Sequence, residues 1–271
     1  MTKLENIGNW VLILTALLAG TAVFLHWNNT ALQISEHTVA SDRLPNSFDG
    51  FKIVHISDLH NTAFRDLSEK ITALSPDIIV ITGDIVQASP KDKALQFARE
   101  AVEIAPTYYV CGNHENRMDY DTLFTELRQI GVTVLRNESV TLEKEGQSIC
   151  LAGIDDPTFD LDSSVADRLQ PLMQEDSYTI LLSHRPELFE EYVALGVDLA
   201  FTGHAHGGQF RLPFIGGLYV PNQGVLPKYD AGMFTCGATH MLISRGLGNS
   251  AFPFRLFNRP EIVAVTLKSE K

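Results

Sequence analysis

Metal-binding side chains follow apolar, strand-forming segments at five places in this 271-residue chain. The segments are rich in Ile, Val, Leu and Phe, which favours strands buried inside a sheet. In α/β folds the carboxyl ends of parallel strands meet at one edge, so residues distant in sequence converge there. The sequence therefore predicts an α/β fold with one polar site at the strand ends. The five blocks are Asp58-Leu59-His60, Gly83-Asp84, Gly112-Asn113-His114-Glu115, Ser183-His184 and Gly203-His204-Ala205-His206.

The side chains in these blocks are typical ligands of divalent transition metals. Imidazole nitrogen with carboxylate and amide oxygen suits zinc, iron or manganese better than calcium. Two cations held close together need an anionic ligand between them, and we expect Asp84 to bridge them. The other candidates divide into two sets, which are Asp58, His60 and His206 for one metal and Asn113, His184 and His204 for the other.

Among the histidines of the five blocks, His114 is not assigned to either metal. It follows the candidate ligand Asn113, so it can face the leaving oxygen of a substrate without binding a metal. Two metals about 4 Å apart can lower the pKa of a shared water and polarise a phosphoryl group. An imidazolium beside them can protonate the leaving oxygen. The blocks together predict a hydrolase that attacks phosphorus with a metal-bridging hydroxide.

Taken singly, the blocks are weak evidence, and other histidines have structural interpretations. A Gly-Asp pair usually marks a turn. His55 and His240 lie within apolar strand patterns, which favours packing or a hydrogen-bonded structural role. Glu115 either orients His114 or is only an acidic residue near a helix start. The common position of the blocks after strands is what makes the set informative.

The five blocks resemble the pattern of the calcineurin-like metallophosphoesterases, which is Asp-x-His, Gly-Asp, Gly-Asn-His, His and Gly-His-x-His. The resemblance covers residues 51–271. It implies a four-layer α/β/β/α sandwich with two metals at the strand ends. It also implies the seven ligands assigned above and a transition-state role for His114.

Three stretches, residues 56–60, 203–209 and 244–248, are similar to a membrane-anchored bacterial branch of this family. Proteins of that branch are labelled as transmembrane proteins with a metallophosphoesterase domain. Some relatives hydrolyse the pyrophosphate of UDP-2,3-diacylglucosamine in lipid A biosynthesis, and others are exported phosphodiesterases. Arg245, in the third stretch, is a candidate for binding a substrate phosphate, with a surface arginine as the alternative.

One position departs from the pattern of the phosphoprotein phosphatases in this superfamily. Those enzymes carry a second aspartate three residues after the Gly-Asp aspartate, and here that position is Gln87. The departure argues against protein-phosphatase activity and favours cleavage of a phosphodiester or a pyrophosphate.

The amino-terminal segment predicts a membrane anchor. Residues 7–25 carry no formal charge, and as a helix they would span about 28 Å, close to the hydrocarbon thickness of a bilayer. Trp10 and Trp27 lie near its two ends, where amphipathic rings prefer to sit. A cleaved signal peptide ending at Gly20-Thr21-Ala22 is the alternative. The apolar residues that continue to Leu25 favour a retained helix.

The predicted organisation is an anchor at residues 1–28, a linker with a first strand at 29–50, and a catalytic domain at 51–271. Lys3 precedes the uncharged segment at residues 7–25, and the first lysine or arginine after that segment is Arg43. This difference favours a cytoplasmic amino terminus and an extracytoplasmic domain.

The formal net charge of −12 limits the choice of partner. Binding to a nucleic-acid backbone normally needs a basic face, so no nucleic-acid partner is expected and a nuclease is disfavoured. A metallophosphoesterase fold that only binds a partner is the non-enzymatic alternative. Such a scaffold should have lost ligands or the proton donor, whereas all seven candidate ligands and His114 are present.

Overall fold

The structure is a computed structural model that describes residues 3–87, 91–250 and 252–271. Two six-stranded sheets lie face to face, with helices covering their outer faces. The α-helices in these residues are α1 (Lys3–Thr30), α2 (Leu67–Leu74), α3 (Asp92–Ile104), α4 (Tyr120–Ile130), α5 (Val165–Leu169) and α6 (Phe189–Ala194).

The strands are numbered along the chain. They are β1 (Gln33–Ser41), β2 (Lys52–Ile56), β3 (Ile78–Thr82), β4 (Thr107–Val110), β5 (Thr133–Val134), β6 (Glu138–Lys144), β7 (Gln147–Gly153), β8 (Thr179–Leu182), β9 (Leu199–Thr202), β10 (Arg211–Leu212), β11 (Gly216–Gly217), β12 (Tyr219–Val220), β13 (Gly224–Val225), β14 (Gly232–Cys236), β15 (Thr239–Ile243) and β16 (Glu261–Ser269).

The first sheet has the order β1-β16-β2-β3-β4-β5, and the second has the order β14-β15-β9-β8-β7-β6. Strands β2 to β5 run parallel to one another, as do β7, β8, β9 and β15. Two short antiparallel hairpins, β10-β11 and β12-β13, follow β9. These hairpins occupy the glycine-rich stretch of the sequence and lie outside both sheets.

Successive side chains of a strand point to opposite faces of the sheet, and this alternation explains how the layers of the structure pack. In β2, Ile53 packs between the two sheets, whereas Val54 and Ile56 pack under the helices. All five residues of β3 are buried, as expected for a strand that is covered on both faces. A third cluster fills the space between the second sheet and helices α5 and α6. The predicted four-layer α/β/β/α sandwich is therefore confirmed.

Local sequence signals set the ends of the helices that cover the first sheet. In α4, the side chain of Asp119 accepts a hydrogen bond from the backbone nitrogen of Thr122 at 3.2 Å, and Gly131 ends the helix in the left-handed region at φ 110°. Helix α3 begins at Asp92, and the residues just before it, 88–90, lie outside the described part of the chain. These helices bury apolar faces against the sheet, so they support the strands that carry the site.

Strand directions place the end of α1 at the same sheet edge as the candidate ligands. Strand β16 is antiparallel to β2, and β1 is parallel to β16, with Gln33 opposite Glu261. The start of β1 therefore lies at the edge where β2 ends and Asp58 begins. The amino-terminal helix leaves the body beside the site.

Helix α1 contains the predicted membrane segment. Its residues Ile7–Thr30 have a mean hydropathy of 1.9, and none of the most apolar window is buried in the body. By length and composition this helix could cross a membrane. The helix runs to Thr30, and β1 pairs along its whole length with β16, so residues 33–41 belong to the first sheet. The expected domain boundaries at 28 and 50 stay predictions.

The layer between the sheets provides a test of the packing. Ile53 is fully buried there, and Ile53→Ala should lower the free energy of unfolding by about 2–5 kcal/mol through lost apolar burial and a residual cavity. Guanidinium unfolding of the full chain in detergent, followed by circular dichroism, measures the change. Leu161 is 84% exposed and is the control, because Leu161→Ala should stay within about 0.5 kcal/mol of the parent. Equal effects would contradict this packing.

Candidate metal centre

The seven candidate ligands and His114 lie on loops that follow five neighbouring strands. Strands β2, β3 and β4 carry the first three blocks, and β8 and β9 carry the last two. Because the two sheets face each other, these loops meet at one end of the sandwich. The eight residues are buried, and they are Asp58, His60, Asp84, Asn113, His114, His184, His204 and His206.

Several of these residues have backbones in the left-handed region, which non-glycine residues rarely adopt. The φ angles are 51° at Asp58, 47° at His60, 50° at Asp84, 64° at His204 and 48° at His206. Each such residue costs about 1–3 kcal/mol and persists only where the surroundings hold it. Such strain, repeated at five candidate ligands, is typical of a functional site.

Backbone hydrogen bonds hold the first two loops together in this conformation. The nitrogen of Asp58 donates to the carbonyl of Gly83 at 3.1 Å, and that of His60 donates to the carbonyl of Asp84 at 3.0 Å. Gly203 permits the β9 loop to approach them, because a β-carbon there would overlap the hydroxyl of Ser57. The nitrogen of His204 then donates to the Asp58 carboxylate at 3.1 Å.

Asp58, His60 and His206 form one group of potential ligands. The Nε2 atom of His206 lies 3.2 Å from Oδ1 of Asp58, and Nε2 of His60 lies 4.0 Å from the same oxygen. The two Nε2 atoms are 3.1 Å apart, and the imidazole rings are nearly parallel. The structure thus brings together the three residues that the sequence assigns to one metal.

Asp84, His184 and His204 form a second group, and Asn113 lines a cavity together with Asp84 and His204. Oδ2 of Asp84 is 3.3 Å from Nε2 of His184 and 3.9 Å from Nε2 of His60, so this one oxygen lies near both groups. His114 is also close, with its Nε2 3.9 Å from Asp84 Oδ2. The position of Asp84 suits a carboxylate shared by two cations.

The donor atoms fit two divalent metals. Oδ1 of Asn113 is buried and has no hydrogen-bond partner among the described residues. Such an orphaned polar atom is costly unless something binds it. Burial and the neighbouring ring of His206 lower the pKa of His60 to about 3, and burial and His184 lower that of His204 to about 3. Both rings are therefore neutral at pH 7, the form that binds metals.

The two carboxylates concentrate negative charge between the histidines. Burial alone would raise the pKa of Asp58, but His206, by charge and hydrogen bond, holds it well below its usual value. His184 does the same for the pKa of Asp84 against the effect of burial. The Asp84 carboxylate in turn overcomes burial and raises the pKa of His184 to about 10. The centre therefore attracts positive charge.

Glu115 supports the centre from behind, a role that the sequence left open. Its fully buried carboxylate accepts hydrogen bonds from the backbone nitrogens of Gly112 at 2.7 Å, Asp84 at 3.0 Å and Val86 at 3.4 Å. The β3 and β4 loops are thus tied to one side chain. Burial and the charge of Asp84 raise the pKa of Glu115 to about 7. Glu115 holds the loops that present Asp84 and Asn113.

Arg185, Asp156 and Asn258 are further supporting residues that sequence patterns did not reveal. Arg185 donates hydrogen bonds to the Asp156 carboxylate and lies 2.8 Å from Nε2 of His204. Asn258 donates to the backbone carbonyl of His206 at 2.7 Å. The sequence signal that could have identified Arg185 is its position directly after the candidate ligand His184. Asp156 and Asn258 lie outside the five blocks.

A cavity of about 500 Å³ opens above the centre. Arg117 and Arg185 are the cationic side chains in its lining, with Gln87 beside them. Arg245, the candidate phosphate-binding residue of the sequence analysis, is not part of this lining. Its Nε lies 3.6 Å from Oε1 of Glu261, and it lines a different cavity. The lining residues are Asp84, Gln87, Asn113, His114, Arg117, Thr158, Arg185, His204, His206, Pro221, Asn222 and Ser250.

Removing the shared carboxylate tests the two-metal arrangement. Asp84→Asn deletes the anionic oxygen that lies near both histidine groups, so we expect bound manganese to fall from about two ions per chain to one or none. Elemental analysis after dialysis against Mn²⁺ measures the content. Asp176→Asn, at an exposed position, is the matched control and should keep about two ions. Unchanged metal content in Asp84→Asn would contradict the shared site.

Comparison with known protein families agrees with this geometry. Residues 51–208 match the profile of the family described as calcineurin-like phosphoesterase. The chain is 34% identical over 259 residues to the uncharacterized metallophosphoesterase YkuE of Bacillus subtilis, covering 88% of this chain and 86% of that protein.

Two further relatives extend the comparison. The chain is 31% identical over 232 residues to the phosphodiesterase YaeI of Escherichia coli, covering 80% of this chain and 82% of that protein. It is 29% identical over 255 residues to a transmembrane protein with a metallophosphoesterase domain from Bos taurus, covering 84% of this chain and 55% of the relative.

Proposed function

The chain belongs to the calcineurin-like phosphoesterase family, and on this basis we propose that it hydrolyses a phosphodiester or pyrophosphate bond with two divalent metals. The observation that carries the proposal is the position of Asp84. One of its carboxylate oxygens lies 3.3 Å from a nitrogen of His184 and 3.9 Å from a nitrogen of His60. That arrangement supports a carboxylate that serves two cations at once.

The proposed ligands form two sets around this carboxylate. Manganese, iron and zinc all suit the mixed donor set. Bound there, the two cations would supply Lewis-acid chemistry that polarises a phosphoryl group and makes water more acidic. The chain itself holds the ligands rigidly through burial and backbone hydrogen bonds, which limits reorganisation during the reaction. The sets are Asp58, His60 and His206, and Asn113, His184 and His204.

His114 is the proposed proton donor to the leaving oxygen. Its ring lines the cavity and packs edge-on against the ring of His60 at 4.8 Å. The backbone nitrogen of His114 donates to Oδ1 of Asp84 at 2.8 Å, which fixes the loop that carries the ring. A ring held there can donate a hydrogen bond to an oxygen of a phosphate bound above the centre.

The lining of the cavity supports a diester or pyrophosphate rather than a phosphoprotein. Gln87 occupies the position where phosphoprotein phosphatases of the superfamily carry a second aspartate, and it lines the cavity. Arg117 and Arg185 supply cationic donors for phosphate oxygens that the metals would not hold. The phosphodiesterase YaeI among the relatives supports the same choice.

The transition-state role of His114 is directly testable. His114→Ala should lower kcat for bis(p-nitrophenyl) phosphate with added Mn²⁺ by about 10²–10⁴-fold, because it removes general acid catalysis. Metal content should stay at the parental level. His240→Ala is the control, since His240 contacts Thr235 on β14 and does not line the cavity. Undiminished turnover in His114→Ala would contradict the role of His114 as proton donor. A parent protein that binds metal but hydrolyses nothing would support the non-enzymatic scaffold instead.

Helix α1 supports a membrane location, which makes a lipid-linked substrate a candidate. The membrane-anchored branch that the chain resembles suggests hydrolysis of UDP-2,3-diacylglucosamine in lipid A biosynthesis. The alternative function is that of an exported, broad-specificity phosphodiesterase of the cell envelope. The two differ in the membrane side on which the body works. Nucleotide-linked lipid precursors are accessible to a cytoplasmic body.

Lysine and arginine counts near the helix favour an exported body, so protease added to intact spheroplasts should digest it. The digestion should occur without lysis of the spheroplasts. A protected body would contradict the exported orientation and would favour UDP-2,3-diacylglucosamine as the substrate. A protease-sensitive periplasmic protein and an untouched cytoplasmic protein in the same spheroplasts are the controls.

A further inference from the structure

The end of helix α1 is packed into the body at the loop that precedes β16. The ring of Phe24 lies 5.2 Å from that of Phe257, and the guanidinium of Arg259 lies 4.6 Å from the ring of Trp27. Oδ1 of Asn29 accepts hydrogen bonds at 3.0 Å from Nδ2 of Asn249 and from the backbone nitrogen of Arg255. The helix and this loop therefore form one continuous surface.

Large apolar side chains beside this junction are exposed, and we call them the aromatic rim. They come from the loop before β16 and from the turn between β10 and β11. Phe214, at the tip of that turn, is fully exposed and has a φ angle of 68°. The rim residues and their exposed fractions are Phe214 109%, Ile215 60%, Phe252 49%, Phe254 40% and Phe257 51%.

The aromatic rim is one surface because its two segments touch. Phe210, which directly precedes β10, has its ring 5.1 Å from that of Phe252 and 5.4 Å from that of Phe254. The backbone nitrogen of Arg211 donates to the carbonyl of Leu256 at 2.9 Å. Phe214 and Ile215 share the walls of a cavity of about 670 Å³ with Phe257, the residue that contacts α1.

Charged side chains line the same cavity as part of the aromatic rim. The 670 Å³ cavity is lined by Arg211, Lys228 and Arg245, with Asp230 as its acidic residue. Each of these cations is paired with a carboxylate, Arg211 with Asp230 at 2.9 Å, Lys228 with Glu190 at 2.6 Å and Arg245 with Glu261 at 3.6 Å. Exposed apolar side chains at the tip, next to ion pairs in the adjoining cavity, suit a boundary between acyl chains and polar headgroups.

The same face carries the mouth of the catalytic cavity. Ser250 lines that cavity, and the adjacent residue Asn249 is the one that bonds Asn29 of α1. The hairpin β12-β13, with Pro221 and Asn222 at its turn, also borders the mouth. The mouth, the aromatic rim and the end of the helix are thus joined through one loop.

We propose that the aromatic rim inserts into the headgroup layer of the membrane that holds α1, so that the catalytic cavity opens at the bilayer surface. The inference rests on the proposed membrane role of α1 and deepens the proposed function. It assigns as substrate class an amphiphile whose scissile phosphate lies at headgroup depth. Continuity with α1, through Phe24 and Phe257, selects a bilayer as the occupant of this surface.

The position of the aromatic rim can be measured with the full chain in lipid nanodiscs that hold one copy each. Cys236 is exposed at the β14-β15 turn, at the sheet edge opposite the site, while Cys111 and Cys150 are buried. An environment-sensitive fluorophore on Phe214→Cys in a Cys236→Ser background reports on the rim. The same fluorophore on native Cys236 is the matched control.

Lipids with nitroxide groups high on the acyl chain should quench the fluorophore at position 214 by about twofold or more and leave the one at Cys236 nearly unchanged. Equal, weak quenching at both positions would overturn the proposal. Self-quenching that appears only when two copies share a disc would assign the surface to a second copy instead, and would also overturn it.

Activity measurements on a soluble and a lipid substrate separate this inference from the proposed function. Phe214→Ser with Ile215→Ser leaves the catalytic cavity intact, so hydrolysis of bis(p-nitrophenyl) phosphate should match the parent. Hydrolysis of a diacylglycerol p-nitrophenyl phosphodiester in vesicles should fall about tenfold. An equal rate on both substrates would overturn the membrane contact. A parent that hydrolyses neither substrate would sink the proposed function, while the quenching result would still decide the position of the rim.

Discussion

The arrangement of the centre depends on the Asp84 carboxylate, which lies between two groups of histidines at the end of the central strand β3. Its Oδ2 is near His60 and His184, and its Oδ1 accepts a hydrogen bond from the backbone nitrogen of His114. Its own backbone nitrogen donates to Glu115. These contacts come from three loops, which follow β2, β4 and β8. A change at Asp84 therefore affects the positions of three strand-end loops as well as the charge between the proposed metals.

Burial makes this arrangement costly to build and useful once formed. Asp58 and Asp84 are fully buried anions, and charges in such surroundings must be compensated. The histidines around them, and the divalent cations proposed for the site, supply that compensation. The left-handed backbones at Asp58, His60 and Asp84 add strain that the surrounding hydrogen bonds must hold. Metal binding and stability are for this reason expected to be coupled.

Topology connects the centre to the amino-terminal helix. Because β1 runs opposite to β2, the chain enters the first sheet at the edge where the ligand loops begin. The end of α1, the aromatic rim and the mouth of the cavity consequently lie together. A site at the other edge of the sheets, near Cys236, would have been separated from the helix by the length of the strands. The fold thus places the apolar helix beside the candidate centre.

The sequence by itself determined the α/β class, the ligand blocks and the apolar helix, because strand periodicity, strand-end position and hydropathy are local signals. The four-layer arrangement followed only from the family resemblance. Only the tertiary structure decided how the blocks pair across the two sheets, since the distance from Asp84 to His60 and His184 depends on loops far apart in sequence. Likewise, Asp156 and Asn258 act through contacts that no spacing records. Arg245 matched a motif, yet its side chain faces Glu261 and a separate cavity. A motif specifies residue types along the chain, whereas the direction of a side chain is set by its packing partners.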